Sequence, residues 1–412
     1  MRKIGLSISL LLIITIVIST GCSRSNSNTV DNDYVIKEKA LTEPVHNISE
    51  ANNKVAFKML KETINVNKNK NTVISPISMN TILSLTQNGA AGETKEEMMN
   101  ALELVANDDD YINKSYKNII GNYNSLESIE VKMANSIWIQ EGLQVEDNFK
   151  NDGRVNYEAR IQNVDFSKKS TLFIINKWIE EHTNGKIKDI VNSFEDTAVA
   201  LINSVYFKGK WLNQFKENMT SKREFTNSQG KVKNVDMMRE TLFVQYNKGD
   251  TFESVRLPYE DDNFGMYIFL PNEESNIEEM LKEVNFNNWS KLTANATEND
   301  IEVQLPKFKI EFEQELNEML QGFGMKKAFE GGADFSNLSK NHDLFISLVK
   351  QKCYIDVNEA GTEAAAVTAV MLEESAMEIG EIPQFIVDRP FVYAIADRNT
   401  GMILFMGEVN DL

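Results

Sequence analysis

The residue types that most often carry catalysis are scarce in this chain, which has three His and two Cys among 412 residues. An enzyme usually needs a base beside a nucleophile, or a group of metal ligands. His46 lies in a polar N-terminal stretch, His182 ends an amphipathic segment where a cation favours a helix C-terminus, and His342 follows a polar run. The chain contains no HExxH, CxxC, Gly-x-Ser-x-Gly, GxGxxG or P-loop motif. The sequence therefore predicts no enzyme, no metal centre and no cofactor.

Cys22 lies where a lipid could be attached. Residues 1–21 begin with two basic residues, continue with an apolar run over 4–18 and end in Ser-Thr-Gly, which is the layout of a signal peptide. A Cys after Ser-Thr-Gly resembles a bacterial lipobox, in which the thiol receives a diacylglycerol. Ser19 stands where that motif usually has an aliphatic residue, so ordinary signal cleavage is the alternative. We expect export to the cell surface or the extracellular space, a lipid anchor at Cys22 and a flexible tether over 22–47.

The second cysteine and the charge balance exclude further classes of function. Cys353 lies in the alternating apolar run 346–357, which favours a buried inert thiol over a nucleophile. Asp and Glu number 61 against 43 Lys and Arg, a net charge of −18, which disfavours nucleic-acid binding. The acidic runs 108–110 and 260–262 lack the spacing of a calcium loop.

The elements that position these residues are helices concentrated early and antiparallel strands late. Capping-box spacing at Thr94 and at Ser275 predicts helices after each, and apolar spacing predicts a helix over 171–182 that stops at Gly185. Alternating apolar residues predict strands over 131–140, 264–270, 301–312 and 346–357, and a hairpin over 391–396 and 402–409. This order favours an α+β fold in one domain, residues 48–412.

The Ala-rich segment 363–374 fits two structures. Its Ala, Glu, Leu and Met residues favour a surface helix. Its β-branched residues, and the small side chains that share one period-2 face, also fit a strand that could enter between two existing strands. The residues alone leave both possibilities open.

Six ordered motifs resemble the signatures of the serpin family, and together they span the chain from about residue 50 to 412. They are NTVISPISMN from Asn71 with GAAGET from Gly89, INKW from Ile175 with TNGKI from Thr183, LINSVYFKGKW from Leu201, LPKF from Leu305, NEAGTEAAA from Asn358, and DRPF from Asp388 with the terminal hairpin. The resemblance implies a single domain of three β-sheets surrounded by helices, with an exposed reactive-centre loop at about 359–383.

The resemblance also implies irreversible inhibition of serine peptidases. The peptidase cleaves the loop and forms an acyl-enzyme, and the loop then inserts into the main sheet and traps the covalent complex. The implied hinge is Glu359, Gly361, Thr362, Glu363, Ala364, Ala365, Ala366, Val367 and Thr368. Insertion would bury Thr362, Ala364, Ala366 and Thr368, all small, while the residues between them face outward. This face carries no bulky or charged side chain, which predicts an inhibitor. A non-inhibitory binding protein on the same fold is the alternative. The sequence gives less support to a surface hydrolase or adhesin.

The usual spacing from the hinge implies a scissile bond between Ser375 and Ala376. A small residue before that bond suits elastase-like or subtilisin-like peptidases. Shifts of register would use Met371, Leu372 or Met377, which suit chymotrypsin-like peptidases, or Glu374, which suits a glutamyl endopeptidase. The absence of Arg and Lys between Glu359 and Ile386 makes a trypsin-like target improbable. We expect a monomer whose membrane contact is the N-terminal lipid alone.

Other matches imply structural roles. Ser75, Ser78 and Asn203 match the polar cluster called the shutter, and Trp211 matches the tryptophan of the breach, where the loop first enters the sheet. Gln351 stands where many serpins have a shutter His. An amide cannot titrate near neutral pH, so either the shutter is insensitive to mild acid or Gln351 is merely a satisfied buried polar residue.

Overall fold

The helices pack around two β-sheets in the computed structural model, which describes residues 43–104, 107–194, 197–294, 297–340, 344–363 and 382–412. The helices are α1 (Glu43–Val66), α2 (Pro76–Asn88), α3 (Gly92–Ala101), α4 (Asp109–Asn124), α5 (Asp147–Asn156), α6 (Lys169–His182), α7 (Ile277–Glu283), α8 (Phe286–Ala294) and α9 (Asn317–Gly322). Short 3₁₀ turns cover Glu217–Met219 and Lys327–Phe329. Among the described residues, no helix has the length and apolar content needed to cross a membrane.

The strands are β1 (Ile129–Gln140), β2 (Arg160–Val164), β3 (Val199–Lys210), β4 (Ser221–Thr226), β5 (Val232–Lys248), β6 (Phe252–Pro258), β7 (Phe264–Pro271), β8 (Thr297–Pro306), β9 (Phe308–Glu315), β10 (Ile346–Asn358), β11 (Gly361–Thr362), β12 (Gln384–Ile386), β13 (Phe391–Asp397) and β14 (Ile403–Val409). The main sheet has the order β2-β1-β3-β11-β10-β9. The second sheet has the order β12-β8-β5-β6-β7-β13-β14, and β4 pairs with β5.

The α+β class with several sheets is confirmed. The resemblance implied three sheets, whereas the described residues form two. Two of the three expected sheets are joined by hydrogen bonds into the single eight-stranded sheet. The reason is that β5 is continuous: it pairs with β4 near its start, with β8 along its middle and with β6 at its end.

Side chains on the two faces of the main sheet enter different cores. Leu201, Val205 and Phe207 of β3 pack into the large core. Tyr206, on the opposite face because strand side chains alternate, packs into a smaller cluster with Trp178 of α6. Helix α2 is buried from Pro76 to Gln87 and contacts both sheets. The main sheet therefore has α2 under its centre on one face and α6 on the other.

Most predicted elements are present, with differences at their boundaries. The helix over 171–182 and the terminal hairpin are confirmed, and Gly185 has a φ of 74°. The cap of α7 is Asn276 and not Ser275, because the Asn276 side chain accepts the Glu279 N–H. Helix α3 begins at Gly92, so Thr94 lies inside the helix and its hydroxyl accepts the Asp334 N–H.

Two further boundaries differ from the prediction. Segment 301–312 forms two strands, β8 in the second sheet and β9 in the main sheet, because the alternation of buried residues changes phase between Leu305 and Phe308 at Pro306. Helix α1 begins at Glu43, inside the segment expected to be tether. Pro44 lies in its first turn, a position where proline's missing N–H costs nothing.

Candidate functional site

The main sheet divides at one end, and the two-residue strand β11 fills the gap. β3 and β10 are parallel and pair directly as far as Tyr206, which lies opposite Tyr354. Beyond that pair β11 lies between them, antiparallel to both, with Thr362 opposite Gly209 of β3 and Val357 of β10. Two residues of the predicted hinge, Gly361 and Thr362, therefore lie inside the sheet, between two strands that are direct partners further along.

Two glycines allow this close approach. Gly361 has a φ of 151°, and a Cβ built on it would lie 2.2 Å from the Gly209 carbonyl oxygen. A Cβ on Gly209 would lie 2.9 Å from Cδ1 of Tyr259. A larger residue at either position would force the backbone or the tyrosine to move.

Trp211 and Tyr259 form a buried aromatic pair beside β11. Their rings are stacked, with centroids 4.7 Å apart and an interplanar angle of 14°. The Trp211 backbone N–H donates to the Ala360 carbonyl at 3.0 Å, and Nε1 donates to the Asn358 carbonyl at 2.9 Å. The hydroxyls of Tyr259 and Thr362 are 2.7 Å apart, and burial raises the pKa of Tyr259 well above its usual value. Trp211 thus contacts the backbone of Asn358 and Ala360, directly beside the hinge.

Glu359 is anchored beside the entry by a charge and a hydroxyl. Lys307 Nζ lies 2.8 Å from its Oε2, and the Thr220 hydroxyl donates to its Oε1 at 2.8 Å. Burial alone would raise the pKa of Glu359, but the hydrogen bonds from Lys307 and Thr220 outweigh burial and hold this pKa below its usual value. The carboxylate therefore stays charged and fixes the start of the hinge.

Glu363 is the last described residue of the hinge, and the described chain resumes at residue 382. Its N–H donates to the Asp356 carbonyl of β10 at 2.6 Å, which continues the pairing of β11 by one residue. Glu363 has a left-handed φ of 53°, and its carboxylate forms an ion pair with Lys186. Strand β11 itself ends one residue earlier, at Thr362.

A second group of polar side chains lies under the centre of the main sheet. Asn135, Asn203 and Gln351 lie opposite one another on β1, β3 and β10. Asn203 Nδ2 donates to Asn135 Oδ1 at 2.6 Å and to the Ser78 hydroxyl, while Gln351 Nε2 donates to Asn203 Oδ1 at 2.9 Å. These residues and Ser75 are each at most 2% exposed. The Gln351 to Asn203 bond joins β10 to β3, the two strands that β11 separates at the other end.

Ser75 ties this cluster to the second sheet. Its hydroxyl donates to the Leu404 carbonyl of β14 at 2.8 Å. Its backbone N–H donates to Gln351 Oε1 at 3.2 Å, and its carbonyl accepts from Gln351 Nε2 at 2.9 Å. Gln351 thus has partners at both ends of its amide, which a neutral side chain with a donor and an acceptor can satisfy.

Several predicted site residues lie outside the described residues, and their roles stay predictions. They are Cys22, Ala364, Ala365, Ala366, Val367, Thr368, Met371, Leu372, Glu374, Ser375, Ala376 and Met377, together with His342.

The structure also describes the residues that the sequence excluded from catalysis. Cys353 is free and fully buried, which confirms the expected buried thiol, and burial raises its pKa. His182 ends α6, and its Nδ1 is 2.7 Å from the Trp178 carbonyl oxygen. Across the described ranges, no group of three or more His, Cys, Asp or Glu side chains is arranged to hold a metal.

Sequence reasoning missed several residues of the site, among them Asn135, Tyr259, Lys186, Lys307 and Thr220. Asn135 had a signal, because it is a buried polar residue inside a predicted apolar strand. Tyr259 and Lys186 had none, because each reaches the hinge from a distant part of the chain.

The main sheet admits two residues of its own chain, β11, between two of its central strands. A family model described as "Serpin (serine protease inhibitor)" matches residues 50–412. The chain belongs to the serpin family. An uncharacterized serpin-like protein of Methanosarcina acetivorans is 34% identical, with 98% of this chain and 96% of the relative covered.

Two solved structures are similar. Serpin48 of the insect Tenebrio molitor, described as highly specific, gives a TM-score of 0.81 at 32% identity, with 89% of this chain and 98% of that chain covered. Human thyroxine-binding globulin, solved with its hormone, gives a TM-score of 0.83 at 26% identity, with 89% and 99% covered. The family is generally one of protease inhibitors and not of enzymes, and the same fold also occurs in this thyroxine-binding protein.

Proposed function

We propose that this protein is a suicide-substrate inhibitor of serine peptidases. The peptidase serine Oγ attacks the carbonyl carbon of the residue before the scissile bond, Ser375 by the family spacing. An ester forms, the peptide C–N bond breaks, and the segment beginning at Ala376 leaves with the proton on its new amine. The loop that remains acylated then inserts between β3 and β10, and deacylation stalls.

The observation that carries this proposal is the position of β11. It already lies between the two central strands and has the orientation that an inserted loop needs. Continuing its register, which pairs Thr362 with both Gly209 and Val357, would bring Ala365 between Tyr206 and Tyr354. The same continuation brings Thr368 between Asn203 and Gln351 in the shutter.

Side-chain size supports insertion along this path. Val205, Phe207 and Cys353 face the large core beside the route, so the residues that enter there must be small. In the continued register, Ala364 would lie beside Phe207, and Ala366 between Val205 and Cys353. Each inserted residue would gain backbone hydrogen bonds to strands on both sides, and this gain drives the change.

We propose a serine peptidase of the elastase-like, subtilisin-like or chymotrypsin-like kind as the partner, acting on a monomeric inhibitor. We also propose that the protein is exported by residues 1–21 and anchored by a lipid on Cys22. The composition of the loop and of the N-terminus supports these assignments.

The alternative is a binding protein on the same fold. One observation favours it: a groove of about 500 Å³ lies between α1 and the α7–α8 region, lined by Phe57, Leu60, Leu281 and Phe286 with lysines at its rim. Such a groove is large enough for a small amphipathic ligand. The two functions differ in whether cleavage of the loop yields a covalent product.

A peptidase panel separates them. The purified protein is incubated with elastase, subtilisin, chymotrypsin, a glutamyl endopeptidase and trypsin, and products are followed by denaturing gel and intact mass. We expect an adduct stable in detergent, and the mass of the released C-terminal fragment identifies the scissile bond. Quantitative cleavage by every peptidase without an adduct would refute inhibition.

A further inference from the structure

Lys186 and Glu363 form an ion pair directly after the end of β11 in the main sheet. We infer that this ion pair is a latch that keeps the uncleaved loop from inserting further. The inference rests on the proposed function, since it assumes that the loop can insert, but it concerns the resting protein, and its test does not depend on formation of a covalent complex.

The latch joins the hinge to the segment that follows α6. Lys186 lies just after the turn formed by Asn184 and Gly185, both with positive φ, and its N–H donates to the Thr183 carbonyl at 2.9 Å. The next residue, Ile187, is fully buried, so the backbone that carries Lys186 is fixed. The lysine therefore holds Glu363 from a rigid position outside the sheet.

The ion pair is asymmetric in its exposure. The Glu363 side chain is 9% exposed and the Lys186 side chain 40% exposed. A carboxylate that is nearly buried needs a partner, and Lys186 is the cation that pairs with it among the described residues. Tyr354 lies beside the pair, with Lys186 Nζ 5.8 Å from the centre of its ring.

The backbone conformation of Glu363 explains how the ion pair would oppose insertion. A left-handed conformation is unfavourable for Glu and persists only where neighbouring contacts compensate. To insert further, Glu363 must become extended, and Ala365 must separate Tyr206 from Tyr354, the first direct pair of β3 and β10. The ion pair opposes the first of these changes. Without it, Glu363 relaxes toward the extended backbone that insertion requires.

The test measures spontaneous conversion of the uncleaved protein to an inserted form. Wild type, Lys186→Met and Glu363→Gln are held just below their unfolding temperature. Samples are taken over time, exposed briefly to a peptidase that cleaves the wild-type loop, and melted. The inserted form resists cleavage and melts at a higher temperature. Lys188→Met is the matched control, because Lys188 lies two positions away and pairs with Glu180 at 2.8 Å.

We expect Lys186→Met and Glu363→Gln each to convert at least about fivefold faster than wild type, the factor that loss of one charge-assisted contact gives. Lys188→Met should convert at the wild-type rate. The charge exchange Lys186→Glu with Glu363→Lys should return the rate toward wild type, which a general loss of stability would not do. Equal rates for wild type and both single variants, or equal acceleration by Lys188→Met, would overturn the latch.

The proposed function and the latch are refuted by different results. Wild type that forms no covalent adduct with any peptidase would refute inhibition, while the conversion rates of the uncleaved variants would still decide the latch.

Discussion

At the scale of single residues, the entry site depends on side chains that are small or fully paired. Thr362 is fully buried and its hydroxyl meets that of Tyr259. Glu359 is charged because Lys307 and Thr220 offset its burial. Thr362 and Glu359 therefore each make a specific contact, and the effect of removing either contact can be predicted.

Thr362→Arg should convert the protein from inhibitor to substrate. The variant places a charge in a buried site without a partner, which costs several kcal/mol and slows insertion relative to deacylation. Denaturing gels should show a cleaved loop at a near-normal rate and little adduct. Thr297→Arg, at an exposed threonine of the second sheet, should keep the adduct. Undiminished adduct with Thr362→Arg would contradict the insertion path.

The Lys307 to Glu359 pair should contribute stability in a defined pH range. The pKa of Glu359 in the folded protein is lower than its usual 4.5. The pair therefore stabilises the fold above pH 4.5, and this contribution disappears as the pH falls through the folded pKa. Urea unfolding should find Lys307→Met less stable than wild type at pH 7, with the difference shrinking below pH 4.5. A difference independent of pH would show that the charge plays no part.

Gln351→His should make the shutter sensitive to pH. The native amide is neutral, so wild-type conversion to the inserted form should change little between pH 5 and pH 8. A His at this buried site would be neutral at pH 8 and charged at pH 5, which disrupts its contacts to Ser75 and Asn203 and speeds conversion. Gln314→His, in the same cross-strand row but on the edge strand β9, is the control. Strong pH dependence of the wild type would refute the hypothesis.

At the scale of elements, the boundary between β3 and β10 is the part of the sheet that can change. These strands pair directly along most of β10, yet separate at one end to admit β11. The separation depends on Gly361 and Gly209, whose missing side chains let three backbones come close.

Gly361→Ala should expel β11 from the main sheet. An added Cβ would lie 2.2 Å from the Gly209 carbonyl oxygen, and overpacking of this kind costs about 1–3 kcal/mol. Hydrogen exchange of the Trp211 amide, which donates to the Ala360 carbonyl, should become faster. Gly331→Ala, where an added Cβ meets nothing within 4 Å, is the control. Unchanged protection of Trp211 would contradict the requirement for glycine.

Local patterns predicted the elements but not how they meet. Apolar alternation predicted β1, β7, β10 and the terminal hairpin, because the order of apolar and polar residues within each strand determines which of its side chains are buried. The two strands within 301–312 were merged, since the change of sheet is marked only by a shift of phase at Pro306. Contacts such as Lys186 with Glu363 join positions far apart in sequence, and no local pattern encodes them.

At the scale of the whole molecule, the proposed function treats the main sheet and the loop as one system with two states. In the resting state one end of the main sheet is held apart by two residues of hinge, while the buried amides of Asn135, Asn203 and Gln351 hold its centre closed. Under the proposed function, cleavage would free the loop to replace the direct pairing of β3 and β10 with pairing to a new central strand. The energy for trapping a peptidase would then come from this change within the fold.

The most direct test is a crystal structure of the protein after its loop has been cleaved by a peptidase from the panel. We predict a new strand that continues β11 between β3 and β10, with Ala365 between Tyr206 and Tyr354 and Thr368 between Asn203 and Gln351. β3 and β10 would no longer be bonded to each other. A cleaved protein in which Asn203 and Gln351 still share their hydrogen bond, with the loop outside the main sheet, would contradict the account.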